Sequence, residues 1–208
     1  MALLAKLPIF KWHEKNIVTS RRARLADAIC DLAPRSIDSL LDVGCGDGTM
    51  TQIVAERVGA RDVHGVDVKI RPNSVVDVRH YDGRTLPFDD ARFDLVTIVD
   101  VLHHCEDLRT VFGELMRVVK PTGMLVIKDH FQFGTWSDHV LWAMDVFGNY
   151  APGVTVRGHY LSPTEWVELI AGAKARVDKL VWPFRVHDLP WRLVARSEYQ
   201  FLMRVLPA

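Results

Sequence analysis

Apolar positions along the chain alternate between two rhythms. Leu25, Ile29 and Leu32 recur at helical spacing, with Thr19 or Ser20 available as a cap and Pro34 as a stop. The short run Leu40-Leu41-Asp42-Val43 ends at glycines and reads as a buried strand. A second helical stripe at Met50, Ile53, Val54 and Val58 closes at Gly59, and Val63 to Val68 and Val75 to Val78 are strand-like. Phe93 to Val101 is rich in β-branched residues and almost unbroken, as a central parallel strand should be. Leu108, Val111, Phe112, Leu115, Met116 and Val119 form a third amphipathic stripe, before Pro121-Thr122-Gly123 turns the chain into the strand Met124 to Ile127. The alternation predicts an α/β fold, a parallel sheet with helices on both faces.

The pattern loosens between about 131 and 161, where glycines and aromatics accompany only a weak helical period around Val140 to Val146. Regularity returns at Ser162-Pro163-Thr164-Glu165, a capping-box signature, followed by the buried face Trp166, Leu169 and Ile170. Val177 to Trp182 and Tyr199 to Val205 are two further strand candidates. With no linker in the pattern, residues 1–208 read as one domain. Residues 1–37 make an N-terminal helical segment and 131–161 a lid-like insert after the fifth strand.

Composition narrows the function classes. Lysine plus arginine equals aspartate plus glutamate at 26 each, so no general basic field awaits a phosphate backbone. Arg21, Arg22 and Arg24 read as a solvated helix face, with a nucleic-acid patch as the alternative. Cys30, Cys45 and Cys105 make an odd, sparse set without a C-x-x-C pair, which fits a reducing compartment and hence the cytoplasm. Met1–Phe10 is apolar but broken by Lys6 and Pro8; it is too short for a membrane span and a poor signal peptide. It is expected to pack on the domain or lie over its ligand.

The chemistry concentrates at Asp42-Val43-Gly44-Cys45-Gly46-Asp47-Gly48, which joins the first strand to a helix, where open parallel sheets bind nucleotide-like ligands. A dinucleotide fingerprint would place its third glycine at 49, which is Thr49. Asp42 would repel a pyrophosphate, whereas the sulfonium and ammonium of S-adenosylmethionine favour an acid there. Asp67, with Val68 beside it, ends the second strand about twenty positions on, where a carboxylate can hold both ribose hydroxyls. Asp82-Gly83 follows the third strand and is either a plain turn or a contact to an adenine amino group.

These residues resemble the class I S-adenosylmethionine-dependent methyltransferases, in the broad group that includes quinone-biosynthesis methyltransferases. The resemblance runs from Leu40 to Asp129. It rests on Asp42–Gly48, Val66-Asp67, Leu86-Pro87-Phe88 with Phe93-Asp94, Asp100-Val101-Leu102-His103-His104, and Arg117-Val118-Val119-Lys120-Pro121-Thr122-Gly123. It implies a Rossmann-like seven-stranded sheet with an antiparallel last strand and a donor site across the strand ends. Asp42, Gly44, Cys45, Gly46, Asp67, Val68, Asp82, Gly83, Asp100 and Val101 are then the expected donor contacts. The acceptor is not inherited with the resemblance.

Methyl transfer from a sulfonium needs placement and water exclusion more than covalent help, with a base where the acceptor carries a proton to lose. Asp129, His130 and His104, at the ends of strands five and four, are the expected catalytic residues, though His104 also reads as a plain helix-entry histidine. No metal is expected, because adjacent side chains in His103-His104-Cys105-Glu106-Asp107 diverge. Trp136, Trp142, Tyr150, His159 and Tyr160 make either an apolar acceptor pocket under a lid or the core of a helical insert. A small, partly apolar acceptor is the expected partner, and no nucleic acid. An amino-methylating DNA enzyme of this fold would carry an Asn- or Asp-Pro-Pro-aromatic turn where this chain has Asp100-Val101-Leu102-His103, and Cys105 lacks the proline that precedes a cytosine-attacking cysteine. The rival readings are a non-catalytic protein that binds the methyl donor and a nicotinamide-dependent oxidoreductase.

Overall fold

Alternation of side chains about the strand plane sorts the core into two layers. A computed structural model describes residues 19–33, 37–149 (side chains as far as 144), 158–187 and 196–208. The Met1–Phe10 run, the helix stop at Pro34 and Tyr150 lie outside the described residues. The elements are α1 (Thr19–Leu32), β1 (Ser39–Val43), α2 (Thr49–Val58), β2 (Asp62–Asp67), β3 (Val78–His80), β4 (Phe93–Val99), α3 (Leu108–Val118), β5 (Val119–His130), α4 (Thr135–Asn149), α5 (Pro163–Gly172), β6 (Ala175–Val181) and β7 (Gln200–Pro207). Short 3-10 turns stand at Leu102–His104 and Ser197–Tyr199.

The strands form one sheet in the order β3-β2-β1-β4-β5-β7-β6. β1 to β5 are mutually parallel, and β7 runs antiparallel to both β5 and β6. This is the Rossmann-like seven-stranded arrangement that the resemblance implied. Leu40, Leu95, Met124 and Val126 meet α1 and α2 on one face; Leu41, Val96, Leu125 and Ile127 meet α3 and α5 on the other. α3 starts where Asp107 accepts the Thr110 amide, and α5 starts with the full Ser162–Glu165 capping box expected from its sequence.

Three boundaries differ from the sequence pattern. The third strand is Val78–His80 rather than Val75 to Val78, because Val75 is exposed and gives its amide to the Asp47 carbonyl, bracing the glycine loop instead of pairing. β5 is longer than Met124 to Ile127: it runs through Pro121-Thr122-Gly123 by a register shift opposite Phe93–Leu95. The insert holds a full helix, α4. Its first turn is pinned by Ser137 Oγ, which accepts the Phe133 amide and donates to the Gly134 carbonyl. No described helix is long and apolar enough to cross a membrane.

Candidate functional site

The parallel strands β1, β2, β4 and β5 bring their carboxyl ends together, and the loops beyond them form the site. Gly44 sits at φ +73, and a Cβ there would stand 2.3 Å from Val101 Cγ2. Only glycine lets the loop after β1 press against the end of β4. The Gly44 and Cys45 amides both donate to the Val66 carbonyl, at 2.8 and 3.2 Å. The Gly46 amide donates to Asp67 Oδ2 at 2.8 Å, and the Lys69 amide to Oδ1 at 2.9 Å. Each Asp67 oxygen keeps a lone pair for a ligand hydroxyl. Val68 is exposed and stands against Gly83, where a Cβ would lie 3.6 Å from Val68 Cγ1. Asp82 Oδ1 accepts the Arg84 and Thr85 amides, which hold its carboxyl below the usual range and make it a turn residue, with Oδ2 outside that turn. The expected donor contacts Gly44, Gly46, Asp67, Val68, Gly83 and Val101 thus lie along one continuous edge.

Asp42 and Cys45 are placed differently from a direct ligand contact. Asp42 is buried, and its oxygens accept from Thr51 Oγ1 at 2.5 Å and Thr97 Oγ1 at 2.8 Å. Burial pushes its carboxyl up to about 6 in spite of the two hydroxyls. Its charge lies beneath the loop, and Thr51 ties α2 to it. The Cys45 thiol packs on Gly65 and is pushed up to about 12 by burial and by Asp42, so it remains a protonated packing group.

The end of β4 carries an ionic cluster. Asp100 adopts φ +54, a conformation rare for a non-glycine residue. Its two oxygens are held by Lys128 Nζ and the Arg21 guanidinium, and His130 Nδ1 lies 3.8 Å away. Burial alone would raise the Asp100 carboxyl, but the charges of Lys128 and Arg21 keep it well below the usual range. Lys128 is itself buried, which pulls its ammonium down against the attraction of Asp100. Burial, with the charges of Arg21 and Lys128, holds His187 down to about 4. The expected solvated face Arg21-Arg22-Arg24 is therefore corrected: α1 lies across the strand ends, Arg21 grips Asp100, and Arg22 approaches Asp47 at 3.5 Å.

On the other side of β5, His103 Nδ1 meets Asp129 Oδ1 at 2.7 Å, with both residues buried. The His104 and His130 rings lie 4.1 and 5.6 Å from that of His103, and Tyr160 stacks on it at 5.1 Å. Asp129, His130 and His104 are brought together, as their strand-end positions suggested. His103 at their centre is not among the expected catalytic residues, because a turn of 3-10 helix at Leu102–His104 decides which histidine faces inward. Lys128, at a strand end, was not among them either, and Arg21, whose partner is far along the chain, was missed. Of the insert's aromatics, Tyr160 is core, packed with Leu141 and Tyr199, and His159 is exposed. Trp136 and Trp142 are 75% and 51% exposed, so neither is core.

Comparison with known proteins agrees with this geometry. Residues 41–127 match the methyltransferase domain family. A demethylmenaquinone methyltransferase from Lysinibacillus sphaericus is 35% identical over 111 residues, covering 48% of this chain and 47% of that protein. The 27-O-demethylrifamycin SV methyltransferase of Amycolatopsis mediterranei is 34% identical over 135 residues, covering 57% and 48% respectively. The chain spans about half the length of the curated relatives it matches. Among solved structures, the Streptomyces coelicolor geranyl diphosphate C-methyltransferase, in complex with Mg2+, geranyl diphosphate and S-adenosyl-L-homocysteine, shares the fold with a TM-score of 0.68. That likeness comes at 17% identity and covers 89% of this chain and 77% of that one. The fold and strand-end site are those of the Rossmann-like nucleotide-binding proteins. Within that class, residues 41–127 are a methyltransferase domain, and the relatives support the resemblance to class I S-adenosylmethionine-dependent methyltransferases over the nicotinamide reading.

Proposed function

We propose that the protein transfers a methyl group from S-adenosylmethionine to a small-molecule acceptor and releases S-adenosylhomocysteine. The observation that carries this reading is the donor edge: Gly44 forced to glycine by Val101, with Asp67 facing the same cleft and oriented by the Gly46 and Lys69 amides. On this reading Asp67 takes the ribose hydroxyls, Val68 and Gly83 bracket the adenine, and Asp82 Oδ2 reaches its amino group. Asp100 faces the donor's ammonium, with Val101 beneath. Asp42 contributes negative charge from below the loop rather than a direct contact.

Asp129, His130 and His104, joined by His103, form the polar wall of the acceptor side. Tyr160 stands over it, stacked on His103, and helps to exclude water from the transfer. A purely donor-binding protein has no use for such a buried polar wall at the strand ends, which favours turnover over the non-catalytic alternative. The acceptor is a small, partly apolar molecule, and the protein works in the cytoplasm without nucleic acid. Calorimetry with S-adenosylmethionine and S-adenosylhomocysteine, followed by mass spectrometry of methylated products from a panel of phenols, quinols and amines, tests the reading. Binding of both ligands with methyl transfer to one of the panel is expected; binding of neither overturns it.

A further inference from the structure

We infer that His103, Asp129 and His130 form a site for one divalent transition-metal ion. One ligand atom from each of the three side chains falls within 4.8 Å of the others. His103 Nδ1 is 2.7 Å from Asp129 Oδ1, and His130 Nδ1 is 3.4 Å from the same oxygen. Neighbouring ligands on an ion with bonds near 2.1 Å stand about 3.0–3.4 Å apart. The His130–Asp129 spacing already fits, the His103–Asp129 pair has to open slightly, and the two imidazoles, within 4.8 Å of each other, have to draw in around the ion.

The second observation is what the cluster leaves unsatisfied. Asp129 is 1% exposed, yet its Oδ2 has no hydrogen-bond partner among the described residues. A buried carboxylate oxygen without a donor is costly and calls for an unseen partner. His130 Nδ1 stands beside that carboxylate, 3.4 Å from its Oδ1. Two imidazoles and a carboxylate are the donor set of zinc, iron and cobalt rather than of magnesium or calcium, and three protein ligands leave coordination positions open.

Lys128 is held by Asp100, not by Asp129, which leaves the Asp129 carboxylate as the anionic ligand.

The consequence for chemistry rests on the acceptor-wall reading above. An ion there would lower the pKa of an acceptor hydroxyl on an open position, and the proton would pass to His104 beside the site. The acceptor oxygen would then attack the donor methyl carbon, the carbon–sulfur electron pair leaving with sulfur as S-adenosylhomocysteine. The site therefore favours oxygen acceptors.

Untagged protein stripped with a chelator is titrated with Co2+ while its visible absorption is followed, and with Zn2+ by calorimetry. One equivalent is expected to bind. Asp129→Asn and His130→Ala each weaken binding by about a hundredfold or more, whereas the exposed His139→Ala leaves it unchanged. Donor affinity on the same samples reports that each variant is folded; if Asp129→Asn is not, His103→Ala replaces it with the same expectation. Absence of a Co2+ band, or binding unchanged in folded variants, overturns the site. Protein that binds S-adenosylmethionine but no Co2+ overturns this inference and leaves the methyl-donor reading standing. Protein that binds Co2+ but neither donor nor product does the reverse.

Discussion

The two halves of the site are built by different means. The donor edge is assembled from backbone: the Gly44 and Cys45 amides on the Val66 carbonyl, the Gly46 amide on Asp67, and a turn at Asp82 closed by its own neighbours. The acceptor wall is assembled from side chains of distant elements, His103 on Asp129 and Tyr160 on His103, and Asp100, held by Arg21 and Lys128, stands where the two halves meet. Backbone contacts admit few substitutions because a Cβ or a changed φ disturbs them. A wall of side chains can be rewritten one residue at a time while the donor half stays in place. The arrangement suits an enzyme with a fixed donor and a particular acceptor.

The strongest way to separate the halves is His130→Ala. Turnover is expected to fall by about two to four orders of magnitude while donor affinity by calorimetry is unchanged; a parallel loss of donor binding would merge the two regions. Burial and the charge of Lys128 lower the His130 pKa, so in chelator-stripped protein, where His130 is free to take a proton, the acidic limb of the rate profile should lie below about 6.5, the ordinary histidine value.

Asp42→Asn probes the charge beneath the donor edge. Asp42 binds its proton more tightly folded than unfolded, so its contribution to stability is complete below about 4 and is lost as pH rises through about 6. Denaturant unfolding should show Asp42→Asn gaining roughly 2–3 kcal/mol on wild type between those values. His187, lowered to about 4, gives the opposite slope in both proteins and cancels in the difference. A difference independent of pH would mean that Asp42 is ionised throughout.

Asp67→Ala is the gentlest of the three. Loss of the ribose contact should weaken donor binding by about 1–3 kcal/mol and leave the pH–rate profile unmoved. Unchanged affinity would place the ribose elsewhere.

The same contrast explains what could be read from sequence. The order of elements, the capping box at Ser162 and the donor edge are local: they depend on period, on glycines before a helix and on acids at strand ends. Asp42 marks where that logic stops. Its position was legible, but its partners Thr51 and Thr97 come from α2 and β4, and no local pattern announces two hydroxyls converging on a carboxylate. Arg21 looked like a solvated residue because its partner lies 79 positions away. The third strand was misplaced because Val75 and Val76 are apolar for the sake of the glycine loop, where Val76 packs against Gly48.

The antiparallel β7 has a bearing on how the chain is made. It is synthesised after the other described strands, yet it lies between β5 and β6, with Phe201 and Leu202 fully buried. Until those residues leave the ribosome, β5 presents a bare edge along Leu125 to His130, and β6 has no neighbour to pair with. During that interval the nascent protein carries an adhesive margin of apolar strand, exposed to any other unfinished chain. Solubility during synthesis therefore depends on how quickly the final strand arrives.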